Sequence, residues 1–103
     1  MSAERFAQAV VDAVAAAEND ARFLVVRARG KTAVIGYDDS GEWVPLFRIA
    51  HGSGAYNVAD LQVRHGRAWE PTHVRGVPVK IAEELVGPLR FLWEMHAQLS
   101  QQA

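Results

Sequence analysis

The sequence predicts an α+β fold, with an N-terminal helix, an antiparallel meander of four to five strands, and a C-terminal helix kinked or split at Gly87-Pro88. Three observations carry this. Apolar residues recur at helical spacing at both ends of the chain. The middle alternates in β-branched and aromatic runs broken by short glycine turns. The connections are too short for parallel crossovers, so neighbouring strands pair antiparallel.

In the first helix Phe6, Val10, Val14 and Ala17 form the apolar stripe, Ser2 caps the start and Asn19-Asp20 ends it. Glu4, Arg5, Gln8, Asp12 and Glu18 form the polar face. Arg22–Ala28 and Thr32–Tyr37 read as a hairpin around Arg29-Gly30-Lys31. Asp38-Asp39-Ser40-Gly41 is a turn. Glu42–Ile49 is the third strand, with Trp43 and Pro45 on one face and Val44, Leu46 and Arg48 on the other. Pro45 cannot donate a ladder bond, which points to an edge strand or a bulge. After the loop Ala50–Ala55, a fourth strand runs Tyr56–Arg64, its phase slipping near Ala59-Asp60. His65-Gly66-Arg67 turns the chain into a weak fifth strand, Ala68–Arg75, where Pro71 again suggests an edge. Pro78 suits a first helical turn, and Ile81, Ala82, Leu85, Leu89, Leu92, Trp93, His96 and Leu99 form a stripe over helices at 79–86 and 88–100.

Length and composition bound the function. The 103 residues make one α+β domain, 1–103, with room for one core and one binding surface. Half the residues are hydrophobic and 22% are charged, values of a folded chain. The absence of cysteine removes disulfide scaffolds, thiolate metal sites and a cysteine nucleophile together. No signal peptide is visible, and no apolar run approaches the roughly 20 residues of a membrane helix. A cytoplasmic protein that does not enter membranes is therefore expected.

The net charge is −1, but its distribution is uneven. Residues 1–20 carry a net −3, residues 21–76 a net +3 and residues 77–103 a net −1. Only Lys31 and Lys80 are lysines, while nine residues are arginine. With so much alanine and valine, this usage reflects a GC-rich genome and weakens any reading of arginine abundance as function.

No motif carries a catalytic signature. Gly52-Ser53-Gly54 lacks the following lysine and helix of a phosphate loop, and a hairpin loop explains it. Neither Ser53 nor Ser40 sits in a nucleophile elbow. The acidic pairs Asp38-Asp39 and Glu83-Glu84 point apart or suit turn and helix positions. No histidine pair has metal-binding helical spacing, and His96 belongs to the helix-packing stripe. No cofactor and no metal is implied.

What remains is a basic set with surplus aromatics. Arg27, Arg29 and Lys31 alternate through the first hairpin, and Arg64, Arg67 and Arg75 surround the last turn. The first and fourth turns of the meander are expected at the same end of the sheet, which gathers Arg29, Lys31, Arg64 and Arg67 into one patch. Trp43, Tyr56 and Trp69, with Tyr37, are candidate aromatic anchors on an open sheet face. The plain alternative is a solvated edge in which arginines discourage strand-to-strand aggregation.

The leading expectation is a non-enzymatic interaction module that binds a protein partner, or a second copy of itself, through the open sheet face and the basic strand ends. The first alternative is a nucleic-acid-binding accessory protein using the same patch. The second is a small-ligand or catalytic domain, which requires His51, His65 and His73 to converge.

Overall fold

A computed structural model describes residues 1–50 and 57–101. Helix α1 (Ala3–Ala17) leads through a 3₁₀ turn (Asn19–Phe23) into strands β1 (Val25–Arg29), β2 (Thr32–Asp39), β3 (Glu42–Ala50), β4 (Ala59–His65) and β5 (Ala68–Gly76). Helices α2 (Pro78–Val86) and α3 (Phe91–Gln101) complete the chain. The five strands pair antiparallel in sequence order, the meander expected from the short connections.

Ser2 caps α1 as expected, its hydroxyl accepting from the Arg5 N–H at 3.2 Å. Phe6, Val10 and Val14 are buried, together with Ala3, Ala7 and Val11. Ala17, expected on this stripe, is exposed, because the stripe rotates onto Val11 as the helix crosses the sheet. The next segment also departs from expectation. Arg22–Leu24 is not strand: Ala21 N–H donates to Glu18 O and Leu24 N–H to Ala21 O, a three-residue period that buries Ala21 and Leu24 on one side.

The register sorts the sheet into two faces. Ile35 faces Phe47, which faces Val63, and Ala33 faces Ile49, which faces Leu61. These rows point towards the helices, and all but the half-buried Val63 are buried. Helix α1 packs on β1, β2 and β3, α2 on α1 and β5, and α3 on the 3₁₀ turn. At the base of the core Trp93 is completely buried, and its indole N–H donates to Leu85 O at 2.7 Å. Phe23 and Tyr37 pack edge to face beside it, with ring centroids 5.2 Å apart.

Two bulges reset the alternation. Ile35 pairs with Phe47 but Gly36 pairs with Pro45, so Leu46 is an extra residue in β3. Pro45 thus marks a bulge, not an edge, since β3 is the central strand. On the other side Leu61 pairs with Val74 but Gln62 with Pro71, so Thr72 and His73 are extra residues in β5. The phase slip lies there and not at Ala59-Asp60. Pro71 does sit on an edge strand. Strand β4 begins at Ala59, later than expected, and Tyr56 lies outside the described residues.

The C-terminal segment splits at Gly87-Pro88 as expected, but α3 begins at Phe91, after a turn through residues 87–90. Of its predicted stripe Trp93 is buried and Leu99 is half exposed, with Ala97 filling the buried position. Among the described residues, no helix is long and apolar enough to cross a membrane.

Candidate binding face

The face of the sheet turned away from the helices carries Arg27 and Arg29 from β1, Thr32 and Val34 from β2, Trp43, Pro45 and Arg48 from β3, Gln62 and Arg64 from β4, and Trp69 and Arg75 from β5. Strand pleat alone puts Arg48 with Val44 and Leu46, facing inward. The extra residue at Leu46 shifts the phase by one and turns Arg48 outward, beside Val34 and Gln62.

Eight of these residues enclose a concave cleft of about 410 Å³. Trp43 and Trp69 stand at its sides, Val34 and Pro45 form its floor, and Arg29, Arg48 and Arg64 line it with Thr32. Gly36 lies behind this floor: a Cβ there would lie 2.2 Å from Val44 O and 3.0 Å from Trp43 Cζ2. The bare backbone at this point lets β3 and the Trp43 ring settle close against β2.

Guanidinium groups lie over both tryptophans. Arg27 sits 4.0 Å from the Trp43 centroid and pairs with Asp38 at 3.3 Å. Arg48 and Arg64 lie 5.0 Å and 4.9 Å from the centroid of the same Trp69 ring. Arg48 Nε donates to Gln62 Oε1 at 2.6 Å, and Arg64 Nε donates to Gly66 O at 3.1 Å. Neither Arg48, Arg64 nor Arg29 has a carboxylate partner among the described residues. Burial first, and then the nearby Arg64 charge, lowers the pKa of Arg48 from its ordinary value. An arginine stays protonated regardless, so the charged form is held there at an electrostatic cost.

The two turns expected to share an end lie at opposite ends. Successive turns of an antiparallel meander alternate, so Gly30-Lys31 and Gly66-Arg67 are separated by the length of the strands. Lys31 and Arg67 therefore stay at opposite rims, both exposed. Arg29 and Arg64 nevertheless meet at the cleft, through the sheet face and not through the turns. Arg27 lies beside the cleft over Trp43, and Arg75 is paired with Asp60 at 2.9 Å. Tyr56 lies outside the described residues, and Tyr37 is in the core. Arg48, Thr32 and Gln62 were not among the expected site residues, and the bulge that brings Arg48 out leaves only Pro45 as its trace in the sequence.

The described histidines do not gather. His65, at the fourth turn, pairs with Glu70 at 3.0 Å, and that hydrogen bond and charge raise its pKa. His73 sits in the β5 bulge at φ 64°, three to four residues further along the ladder, roughly 10 Å away. His51, like Gly52-Ser53-Gly54, lies outside the described residues. His96 Nδ1 meets the Tyr37 hydroxyl at 2.9 Å, a packing role on α3. Among the described residues no group of His, Asp or Glu is arranged to hold a metal ion.

A second surface lies on the last helix. Phe91, Met95 and Leu99 repeat every four residues along α3 and are 70%, 69% and 50% exposed. In comparison with known protein families, curated proteins and solved structures, no match to this chain was found.

Proposed function

We propose that the protein is a non-enzymatic interaction module whose outer sheet face binds an acidic segment of a partner protein. The observation that carries this is the cleft framed by Trp43 and Trp69, in which Arg29, Arg48 and Arg64 have no carboxylate partner among the described residues. Arg48 and Arg64 are half-buried, a setting in which a folded domain ordinarily pairs a charge internally, while Arg29 is exposed at the end of the cleft. An external anion supplies the missing charge, and tryptophan and arginine are the side chains that most often dominate protein interfaces.

An acidic protein segment fits better than stacked bases. Base stacking needs an open aromatic face. Arg27 lies over Trp43, which also packs against Gly36, and two guanidinium groups lie over Trp69. The test is a tagged capture from the native host at low salt, with the eluate read by mass spectrometry and by absorbance at 260 and 280 nm. A stoichiometric protein that is lost with the Arg29→Glu, Arg48→Glu, Arg64→Glu variant supports the reading. Nucleic acid that leaves with added salt instead favours the polyanion alternative.

A second reading, self-association through α3, is favoured by the exposed stripe of Phe91, Met95 and Leu99. An apolar row at four-residue spacing is self-complementary about a two-fold axis. Light scattering after size-exclusion chromatography reads it directly: a dimer that becomes monomeric on Met95→Glu supports it, and a monomer at high micromolar concentration removes it.

A further inference from the structure

The Arg48–Arg64 pair over Trp69 carries more information than a basic face alone. Both guanidinium groups stand within 5.0 Å of one ring centroid, so the two like charges lie within about 10 Å of each other, a Debye length at 0.1 M salt. Each is held by its Nε: Arg48 by Gln62, and Arg64 by Gly66 O. Their terminal nitrogens have no partner among the described residues, and Arg29 lines the same cleft in the same condition. Each arginine is thus tethered through its Nε, and neither has a carboxylate partner among the described residues.

We infer that this pair is a subsite for a phosphate monoester carried on the partner's segment, with Arg29 further along the same cleft. The inference rests on the outer-face reading above. A carboxylate brings one charge and two oxygens, which leaves the cluster strongly positive. A phosphate monoester brings a charge of about −1.5 to −2 and three acceptor oxygens, enough to accept from two guanidinium groups at once. The cleft is lined by residues of all five strands, a span that suits an extended segment. The tryptophan faces are already covered by arginine, which favours a phosphorylated protein segment over a nucleic acid.

The test is a titration of the isotope-labelled full chain, following the Nε–Hε signals of Arg48 and Arg64 and the indole N–H of Trp69. The probes are acetyl-Gly-Gly-phosphoserine-Gly-Gly-amide, the same peptide with serine or with glutamate in the central position, and ten-residue oligothymidylate with and without a 5′-phosphate. The expected result is saturable shifts at these three residues with the phosphopeptide, at least about tenfold tighter than with the glutamate peptide, and none with serine. Arg64→Gln should weaken the phosphopeptide about tenfold or more while leaving the melting temperature unchanged. Glutamate binding as tightly as phosphoserine, or phosphopeptide shifts that bypass Arg48 and Arg64, would overturn the inference. Tighter binding of either oligonucleotide than of the phosphopeptide would also overturn it, in favour of a nucleic-acid surface. The two readings fail separately. If the phosphopeptide fails while the triple charge-reversal variant still loses its captured partner, the subsite is wrong and the face stands. If that variant keeps its partner, the face itself is wrong.

Discussion

At the scale of single residues, three contacts set measurable behaviour. His96 meets the Tyr37 hydroxyl on the inner side of the sheet, and burial lowers its pKa from 6.5. Below pH 6.5 the unfolded chain therefore takes up the proton before the folded one, so stability falls on acidification and is fully present above that value. His65 works in the opposite direction. Its pKa is raised by Glu70, so its contribution is present at low pH and is lost as the pH rises through the elevated value. Its side chain is 77% exposed, which makes it the weaker of the two. Urea titrations at pH 7.5 and 5.5 should show lower stability at pH 5.5, and His96→Gln should flatten the difference. Tyr37→Phe should cost about 1 kcal/mol at pH 7.5, the value of one hydrogen bond. Gly36 is the most restrictive position. Alanine there meets Val44 O at 2.2 Å, and Gly36→Ala should destabilise by about 3 kcal/mol and change the environment of Trp43, as read by fluorescence.

At the scale of elements, the bulges decide which side chains share a face. The order helix, meander, split helix was legible because each segment has its own period: Phe6, Val10 and Val14 at helical spacing, and Ala33, Ile35 and Tyr37 at strand spacing. The anchors Trp43 and Trp69 and the cations Arg29 and Arg64 were legible as candidates. Arg48 was not, because alternation holds only until an extra residue enters, and Leu46 is as apolar as the core positions around it. The placement of the turns failed for a different reason: a meander reverses ends at every turn, so only the first and third, or the second and fourth, coincide. In β5 the bulge is held by Thr72, whose hydroxyl donates to Leu61 O at 2.7 Å and accepts from Val74 N–H at 3.2 Å. It stands in for the ladder that the extra residues and Pro71 interrupt. Thr72→Val keeps the shape and removes both bonds, and should cost about 1–2 kcal/mol by thermal or urea unfolding. The same bulge, with Pro71, keeps the β5 edge from pairing with another chain, and Arg27 and Arg29 guard the short β1 edge.

At the scale of the whole molecule, the two faces of the sheet do different work. One is closed by the helices over a core anchored by Trp93. The other gathers Arg27, Arg29, Arg48, Arg64 and Arg75 against Asp38 and Asp60, although the chain as a whole carries a net charge of −1. Like charges kept close together oppose folding, so a protein selected for stability alone would lose Arg48 or Arg64. The central claim is that this face keeps them in order to bind. It is tested most directly by measuring, side by side, the melting temperature of the Arg48→Glu, Arg64→Glu variant and its affinity for the protein captured by the wild type. The account predicts an unchanged or raised melting temperature together with a loss of affinity of about thirtyfold or more, the cost of reversing charges at the centre of an interface. A variant that binds as tightly as the wild type would contradict it, and the arginines would then be a solvated face with no partner to serve.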